Sequence, residues 1–447
     1  MKRYSEYKDS GVAWLGDIPA HWQASRLKKI VHSIDSGVSV NAVDEPAETN
    51  AYGVLKTSCV YQGFFDPSEN KAVLPEEMGR VACPVMANTL IVSRMNTPAL
   101  VGAAGLVTRN FPKLFLPDRL WQVRFTDALP KFVHYWTQSP FYRTQVQMAC
   151  AGSSASMQNL SQDDFLGFFL ALPEIDEQAT IACFLDLETA KIDALIAEQE
   201  KLISLLAEKR QATVSHAVTK GLDPQVPMKD SGVAWLGEVP AHWEVVRIRH
   251  ALTIDNSPRL PINREERAKM AGQYPYWGPT GIIDHIDHFR YEGARALIGE
   301  DGDHFTKHSI WPMTQWTTGQ FNVNNHAHVI ADGPRCTAKW FYFSFLHRDI
   351  GNDLIAQGVS RLKLTREGLS NLWLAVPPLD EQLAIISDSE ATLERHIELT
   401  KSVQRQISLL EERRNAIIAA AVTGQIDVRN SPAAPTKTTE EIQEALQ

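Results

Sequence analysis

Residues 8–22 read Lys8-Asp-Ser-Gly-Val-Ala-Trp-Leu-Gly16, then Pro19-Ala-His-Trp22, and both motifs return as Lys229-Asp-Ser-Gly-Val-Ala-Trp-Leu-Gly237 and Pro240-Ala-His-Trp243. The second copy begins 221 residues after the first, whereas solenoid repeats recur about every 20 to 50 residues. The chain is therefore predicted to contain two copies of a whole domain. Two similar domains in one chain suit a target that has two parts.

A second motif closes each half of the chain. It reads Leu172-Pro173-Glu-Ile-Asp-Glu-Gln178 in the first half and Val376-Pro377-Pro-Leu-Asp-Glu-Gln382 in the second, at an offset of 204 residues. Between the two motifs, residues 52–110 and 274–328 share almost no identity. Repeated ends around unlike middles predict a common scaffold that carries two different readers.

Length and composition fit a soluble protein of two domains. The chain has 447 residues, of which 44% are hydrophobic and 22% charged, and this length exceeds what one core usually organises. No apolar run approaches the roughly 20 residues of a membrane span, so no membrane partner is expected. The first residues lack the apolar core of a signal peptide, and the five cysteines form no Cys-x-x-Cys motif. Both features predict a cytoplasmic protein without a zinc site.

The net charge of −9 is unevenly distributed along the chain. Residues 174–220 contain nine Asp and Glu against five Lys and Arg, and residues 378–447 contain twelve against seven. The two middles are close to neutral, which allows each to present a basic face. The overall charge therefore neither predicts nor excludes a nucleic-acid partner.

The two acidic segments are predicted to be long helices. Each follows a proline and has carboxylates in its first turn, where the helix dipole favours them, and the interior of each contains no glycine or proline before Gly221 or Gly424. A helix from Glu177 to Thr219 would be about 65 Å long at 1.5 Å per residue. Apolar spacings of three, four and seven favour an antiparallel coiled coil of the two helices, and the alternative is two helices packed on their own domains. The residues of these stripes are Ile181, Leu185, Ile192, Leu195, Leu202, Leu206, Ile385, Leu399, Ile407 and Leu410.

The middles are predicted to be mixed α/β with many short strands. Apolar or alternating runs predict strands at 90–94, 121–125, 296–299 and 328–330. The runs that end at Pro173 and Pro377 predict a matching last strand that leads into each long helix.

Together these residues resemble the specificity subunit of type I restriction-modification systems. The resemblance rests on the opening motif, Pro-Ala-His-Trp, the proline that leads into Asp-Glu-Gln and the helix ends in Ala-Val-Thr, and it covers residues 4 to 428. In the second middle, stretches common in that family's target recognition domains are Tyr276-Trp-Gly-Pro-Thr-Gly281, Leu297-Ile-Gly-Glu-Asp-Gly302 and Val323-Asn-Asn-His-Ala-His328. The corresponding stretches in the first middle are Arg94-Met-Asn96 and Leu100-Val-Gly102.

The resemblance implies a non-catalytic subunit that reads double-stranded DNA. Each target recognition domain would read half of a split site, and the paired helices would space the domains. Two methyltransferase subunits would dock on the helices and restriction-motor subunits would join them, giving a DNA adenine methyltransferase and ATP-dependent endonuclease. S-adenosylmethionine, ATP and Mg would be bound by those partners, and no cofactor by this chain. The sequence has no Asn-Pro-Pro-Phe methyltransferase loop and no Gly-x-x-x-x-Gly-Lys phosphate loop.

The predicted fold class is α+β with a pseudo-two-fold internal repeat. Two mixed α/β target recognition domains are joined by two long helices that pair as an antiparallel coiled coil. The predicted boundaries are 1–173 for the first recognition domain, 174–220 for the central helix, 221–377 for the second recognition domain, 378–428 for the distal helix and 429–447 for a flexible tail.

Polar side chains that follow or end strands in the middles are the candidates for contact with DNA. Direct readout needs Arg, Lys, Asn, Gln, Ser or Thr on loops, and Arg361 and Lys363 are expected on phosphates. The alternative for each residue is an ordinary polar position in a turn. The candidates are Lys56, Thr57, Ser58, Arg94, Asn96, Thr97, Thr280, His304, Lys307, Asn324, Asn325, His326, Arg361 and Lys363.

Histidines crowd residues 285–328, where His326-x-His328 has a spacing open to a metal. Because no carboxylate or cysteine accompanies the pair at a recognisable spacing, hydrogen-bonding or DNA-facing roles are favoured and no metal is predicted. The tryptophans of the repeated motifs are predicted to pack rather than to stack on bases.

Two other functions are weighed against this one. A coiled-coil adaptor for protein partners would explain the repeat and the helices, but not duplicated ends around unlike middles. A self-contained DNA methyltransferase would need the catalytic loop that the sequence lacks.

Overall fold

The computed structural model has two compact units. Unit 1 comprises Met1–Gln199 and Arg405–Gln447, and unit 2 comprises Glu200–Gln404. The predicted tail falls outside the described residues beyond position 431. The structure describes residues 2–150, 156–307, 311–350, 355–357 and 361–431.

Unit 1 is a mixed α/β body, and the strands predicted at 90–94 and 121–125 are present as β9 and β13. Its strands are β1 (Tyr7–Asp9), β2 (Asp17–Pro19), β3 (Gln23–Arg26), β4 (Val31–Ser36), β5 (Ala42–Val43), β6 (Gly53–Leu55), β7 (Asn70–Val73), β8 (Pro84–Val85), β9 (Thr89–Ser93), β10 (Met95–Asn96), β11 (Ala104–Val107), β12 (Phe111–Phe115), β13 (Leu120–Phe125), β14 (Gln158–Asn159) and β15 (Phe169–Leu172). Its helices are α1 (Pro130–Thr137), α2 (Pro140–Ala149), α3 (Gln162–Gly167) and the first part of α4 (Ile175–Lys220).

Unit 2 is built in the same manner, and the strands predicted at 296–299 and 328–330 are present as β23 and β26. Its strands are β16 (Met228–Asp230), β17 (Glu238–Pro240), β18 (Glu244–Arg247), β19 (Thr253–Ile254), β20 (Ala271–Trp277), β21 (Ile282–Ile286), β22 (Tyr291–Glu292), β23 (Arg295–Gly299), β24 (Thr314–Thr317), β25 (Gln320–Val323), β26 (Ala327–Ala331), β27 (Ile355–Gln357), β28 (Arg361–Lys363) and β29 (Trp373–Val376). Its helices are α5 (Ile248–Ala251), α6 (Arg264–Ala268), α7 (Ala338–Phe345), α8 (Arg366–Asn371) and the first part of α9 (Leu379–Val422).

The first main sheets of the two units have the same topology. The strand order is β11-β9-β13-β4 in unit 1 and β24-β23-β26-β19 in unit 2. Matching strands follow one another in the same order along the chain, and all neighbours pair antiparallel. The middles that share almost no sequence identity therefore contain the same sheet.

The second main sheets also match. Their orders are β5-β7-β6-β12-β8 and β21-β20-β25-β22, so that unit 1 differs by the added edge strand β5. Each sheet contains one parallel pair, β6 with β12 in unit 1 and β20 with β25 in unit 2. Because a parallel pair within an otherwise antiparallel sheet recurs at the same place, the duplication extends through both middles.

The repeated opening motif builds the same turn twice. The Gly11 amide donates to Asp9 Oδ1 at 2.9 Å, and the Gly232 amide donates to Asp230 Oδ1 at 3.0 Å. The two glycines have φ of 71° and 68°, a conformation that residues with a Cβ atom adopt only at an energetic cost. Backbone geometry therefore explains why these residues are identical in both copies.

A carboxylate joins each opening segment to the start of a long helix. Trp22 Nε1 donates to Glu177 Oε2 at 3.0 Å, and His21 Nε2 lies 2.8 Å from the same oxygen. In unit 2, Trp243 Nε1 donates to Glu381 Oε1 at 3.0 Å, and the preceding histidine lies 2.7 Å from Oε2. Both indoles are fully buried, and a buried indole N–H requires an acceptor. These carboxylates therefore do more than complement the helix dipole.

The segments that repeat form one structural element in each unit. The last strand before each long helix pairs with the strand after the opening motif, β15 with β3 and β29 with β18. We call these segments the shared frame, which comprises residues 7–26 and 169–178 in unit 1 and residues 228–247 and 373–382 in unit 2.

The other two tryptophans of the repeated opening motifs are partly buried and pack against aromatic rings of their own units, as predicted. Trp14 lies against Phe141 and Trp235 lies against Phe345, with ring centroids 6.1 and 5.9 Å apart. The four tryptophans of the repeated motifs therefore serve the fold.

In unit 1 the first part of α4 runs antiparallel to the last part of α9. Arg414 Nε donates to Asp193 Oδ1 at 2.9 Å. Beyond the end of α9, Arg429 Nε lies 3.9 Å from Glu177 Oε1 at the start of α4. Two contacts in reversed order along the chain confirm the predicted antiparallel pairing.

Unit 2 contains the other part of each long helix, in the same arrangement. Val218 of α4 and Ile385 of α9 share one buried core. A Cβ atom at Gly221, just after α4, would lie 3.5 Å from Glu381 at the start of α9. Gly221 and Gly424, with φ of 78° and 74°, follow the ends of the two helices, as left-handed glycines commonly do. Helix α9 ends at Val422, before the predicted boundary at 428.

The buried seam contains only part of the predicted apolar stripe. Buried members are Ile181, Leu185, Ile192 and Ile385. Partly buried members are Leu206, Ile407 and Leu410. Leu195, Leu202 and Leu399 are 45%, 40% and 45% exposed, which corrects the prediction of one continuous seam. A straight helix drifts by about 20° per heptad, so leucines two or three heptads beyond Ile181 have rotated out of the seam.

Candidate nucleic-acid interface

In unit 1 a hydrogen-bonded cluster joins the turn after β6 to the end of β9. Tyr61 Oη lies 2.7 Å from Thr57 Oγ1 and accepts a hydrogen bond from Asn96 Nδ2 at 2.8 Å. Asn96 Nδ2 also donates to Ser93 Oγ at 3.2 Å, and its Oδ1 accepts from the Thr97 amide at 2.8 Å. We call Thr57, Tyr61, Ser93 and Asn96 the unit 1 cluster. The structure thus brings together the predicted residues Thr57, Asn96 and Thr97.

The amide group of Asn96 is turned into the protein. The residue is only 7% exposed, and its donors and acceptor are those used in the cluster. An asparagine that reads adenine uses its side-chain amide N–H and carbonyl oxygen, and in Asn96 both of these groups are engaged within the protein. We therefore expect Asn96 to position Thr97, which follows it and is exposed.

The other unit 1 candidates flank this cluster. Ser58 Oγ donates to Glu69, and Lys56 Nζ lies 3.7 Å from Asp44 Oδ1. Arg94 is partly buried, and its Nε has no hydrogen-bond partner among the described residues. Because a buried N–H without an acceptor is costly, Arg94 is the candidate whose hydrogen bonds the protein alone leaves incomplete.

In unit 2 an ion-paired cluster surrounds Glu300. Arg259 Nη1 lies 2.8 Å from Glu300 Oε2, and Lys363 Nζ lies 3.2 Å from Oε1. The neighbouring Asp301 has its Oδ2 2.8 Å from His326 Nδ1. We call these five residues the unit 2 cluster. Of the predicted residues, His326 and Lys363 meet here.

The charges around Glu300 keep it ionised. Burial opposes its ionisation, but the hydrogen bonds and charges of Arg259 and Lys363 outweigh that effect and lower the pKa of Glu300. His328 is 1% exposed, and its Nε2 lies 2.8 Å from the Leu364 carbonyl oxygen. Burial lowers the pKa of His328 below its usual value. This histidine is therefore a neutral hydrogen-bonding residue of the interior at neutral pH.

The remaining unit 2 candidates divide between surface and interior. Exposed candidates are Thr280, Lys307 and Asn325. Asn324 is 8% exposed, and its Oδ1 accepts from the His326 amide at 2.9 Å, which shapes the turn. The side chains of His304 and Arg361 lie outside the described part of the structure.

Arg94 and Glu300 occupy the same place in the two folds. Each directly follows one of the matching strands β9 and β23. The Leu160 amide donates to the Arg94 carbonyl and the Leu364 amide donates to the Glu300 carbonyl, both at 2.8 Å. The same backbone position therefore carries a cation in unit 1 and a carboxylate in unit 2.

Sequence reasoning missed Tyr61, Arg259, Glu300 and Asp301. A signal existed for the two acids, because they lie within the family-like stretch 297–302. Tyr61 and Arg259 had none, since each is distant in sequence from the residues that it contacts.

Neither a metal centre nor a membrane span is found in the described part of the chain. Its His, Cys, Asp and Glu side chains form no group of three that would hold a metal ion. Its helices include none that is long and apolar enough to cross a membrane.

Known proteins share this sequence pattern. Residues 240–409 match the family model described as type I restriction modification DNA specificity domain. The putative type I restriction enzyme specificity subunit S.HindORF215P of Haemophilus influenzae is 31% identical over 139 residues, which is 31% of this chain and 34% of that protein. The putative MjaX specificity subunit of Methanocaldococcus jannaschii is 20% identical over 438 residues, covering 93% of this chain and 96% of that one.

A solved structure shares the fold. It concerns the complex assembly and conformational transition of the type I R-M system, and one of its chains matches with a TM-score of 0.66 at 13% sequence identity. The match covers 92% of this chain and 99% of that chain.

Two copies of one frame, unlike clusters at matching positions and a pair of long helices define an internally duplicated α+β protein. The similarities make the class more specific: residues 240–409 match the model of the type I restriction modification DNA specificity domain, and the chain is similar to specificity subunits of type I restriction enzymes.

Proposed function

We propose that this chain reads DNA for a type I restriction-modification complex and that each unit reads one half of a split site. The observation that carries the proposal is the contrast between matching frames and unlike clusters, with Arg94 and Glu300 at the same backbone position. Two copies of one frame cannot distinguish two half-sites, so the sequence information has to come from residues that differ.

Two methyltransferase subunits dock on the long helices in this proposal, at matching surfaces. Leu195 and Leu399 lie 204 residues apart and are each 45% exposed. Leu205 and Leu409 have the same offset and are 49% and 56% exposed. Exposed leucines that recur at equivalent positions favour two copies of one partner.

The remaining components of the complex belong to the partners. Restriction-motor subunits join for cleavage, and S-adenosylmethionine, ATP and Mg are bound by the partner subunits. The chain itself lends specificity without catalysis. Its cysteines Cys59, Cys83, Cys183 and Cys336 are free thiols, which suits the reducing cytoplasm.

The long helices set the spacer between the half-sites in this proposal. Four residues inserted at matching points of α4 and α9 add about 6 Å, or roughly two base pairs at 3.4 Å each. Methylation mapping should then show a longer spacer. An unchanged spacer would contradict this role of the helices.

Co-expression tests the proposed function directly. The chain is expressed with and without its methyltransferase partner, and methylated DNA is sequenced. A split motif that is methylated only when both are present supports the proposal. Methylation by the chain alone would instead identify a self-contained methyltransferase, and no methylation in either case would favour a protein adaptor.

A further inference from the structure

An exposed cationic segment follows the first strand of the shared frame in each unit. The arginine that ends β3 or β18 is followed by a short helical turn that carries two further basic residues, and in unit 2 His250 Nε2 accepts a hydrogen bond from Arg249 Nε at 3.1 Å. We call Arg26, Lys28 and Lys29 the unit 1 patch and Arg247, Arg249 and His250 the unit 2 patch.

The two patches are built on the same geometry. Arg26 lies opposite Phe169 in the strand pair, with its guanidinium 4.7 Å from the ring centroid. Arg247 lies opposite Trp373, at 4.4 Å. In both units the residue after the arginine is fully buried and donates its amide to the chain just before the last strand, at 2.8 and 3.0 Å. Cation–π contact and this buried anchor hold each patch at the surface.

The patch cations have no carboxylate partner within 4.0 Å among the described residues. In unit 2 the Asn371 carbonyl accepts from Arg247 Nη1 at 2.6 Å, and its Oδ1 accepts from Arg249 Nη1 at 2.7 Å. One residue thus fixes two guanidinium groups along an open groove, which is also lined by Arg335 in its ion pair with Glu244. Positive charge that the protein orients but does not neutralise is available to an anionic ligand.

The unit 1 patch is less strongly organised. Gly167 stands at the position of Asn371, and the adjacent helix α3 carries Asp163 and Asp164 in its first turn. The unit 2 patch is therefore the stronger of the two.

We propose that both patches bind DNA phosphates without reading sequence, an inference that rests on the proposed function. Lys28 and Lys29 of unit 1 correspond to Arg249 and His250 of unit 2. The two copies therefore both have basic or hydrogen-bond-donating side chains at these positions, but the geometry of the side chains differs. A phosphate requires only such character, whereas a base edge requires a defined donor and acceptor pattern. A site in the shared frame also makes the same contact in both units, and in a chain of net charge −9 DNA affinity has to come from such local concentrations of cations.

The test measures binding of the purified full-length chain, with its methyltransferase partner, to a labelled duplex that carries the mapped motif and to a shuffled duplex. Anisotropy titrations from about 50 to 200 mM KCl give the salt slope. The variant is R247Q/R249Q, and the matched control R264Q/K269Q removes two exposed cations at α6 in the same unit, away from the long helices. We expect the variant to bind both duplexes more weakly by the same factor and to lose about two from the salt slope. R247K/R249K should retain most of the slope, and R26Q/K28Q should lose less than R247Q/R249Q.

Several outcomes would overturn the inference. An unchanged salt slope in R247Q/R249Q would exclude phosphate contact, and a loss confined to the motif duplex would indicate base readout. Normal DNA binding with loss of partner co-purification would assign the patch to a protein surface. If the unmodified complex does not prefer the motif duplex, the proposed function itself fails, which separates the two failures.

Discussion

The frames of the two units agree in detail, while their clusters do not. Trp22 meets Glu177 and Trp243 meets Glu381 at the same 3.0 Å. The position directly after β9 is occupied by Arg94, however, whereas the matching position after β23 is occupied by Glu300. The residues around these two positions also differ in charge and type. Identity is kept where the fold needs one geometry twice, and it is lost where two different half-sites would have to be read.

The largest effect is expected when the buried indole is removed from each frame. Trp22→Ala and Trp243→Ala should each lower the free energy of unfolding by about 3–5 kcal/mol, because a large cavity forms and a buried carboxylate loses a donor. Urea denaturation of the full chain measures both. A large loss for one variant with almost none for the other would show that the frames are not energetically equivalent.

The second test uses a difference that the frames do contain. A Cβ atom at Gly424 would lie 2.4 Å from Pro19 Cδ, whereas the nearest neighbours at Gly221 would be 3.5 Å away. Gly221→Ala should cost about 1–2 kcal/mol for a left-handed backbone. Gly424→Ala should cost about 1–3 kcal/mol more through steric overlap. Equal losses in thermal or urea unfolding would contradict the closer packing around Gly424.

Sequence reasoning predicted the elements better than their contacts. The strands at β9, β13, β23 and β26 follow from short apolar runs, and both long helices follow from uninterrupted apolar periodicity between proline and glycine. The pairing of Trp22 with Glu177 did not follow, because the two residues lie far apart in sequence. The sequence did contain one signal for this pairing, because the His-Trp and Asp-Glu pairs each occur in both repeated motifs.

The common topology of the middles and the limits of the helix seam were also beyond the sequence. Strand order depends on pairing between distant segments, and different apolar residues fill equivalent positions, so the likeness of β20 to β6 is not visible in the sequence. The exposure of Leu195 and Leu399 depends on how far the apolar stripe of each helix rotates away from the neighbouring helix. The spacing of apolar residues in the sequence does not give that rotation.

The dependence of stability on pH is expected to differ between the two units. His134 of α1 is partly buried, and its Nε2 lies 2.7 Å from the Gly63 carbonyl oxygen. Burial lowers its pKa to about 4 from 6.5, so between these values the unfolded state binds the proton and the folded state does not. Stability is thus complete above pH 6.5 and falls as the pH drops toward 4, by about 2–3 kcal/mol from this group. At the matching place in α7, unit 2 has Tyr342, which does not titrate in this range.

His134→Gln checks this prediction when its stability is compared with that of the unmodified chain at pH 7 and pH 5. The gap between the two proteins should narrow as the pH falls. A constant gap would show that His134 titrates normally in the folded protein.

The smallest effect on stability is expected at the exposed leucines. Leu195→Asp and Leu399→Asp should each change the free energy of unfolding by no more than about 0.5 kcal/mol, yet each should weaken one of two equivalent partner sites. Mass measurement of the assembled complex should give one methyltransferase per chain for either variant and none for the double variant. Retention of two partners in the double variant would place docking elsewhere.

The central claim is that each unit reads its own half-site through the residues in which the units differ. Methylation mapping in cells that express the methyltransferase partner tests it with one variant per unit, R94Q/T97A in unit 1 and H326A/K363A in unit 2. The account predicts that each variant relaxes or changes one half of the methylated motif, a different half for each, while the spacer and the other half stay the same. A change in both halves from either variant, or the same half altered by both, would contradict it.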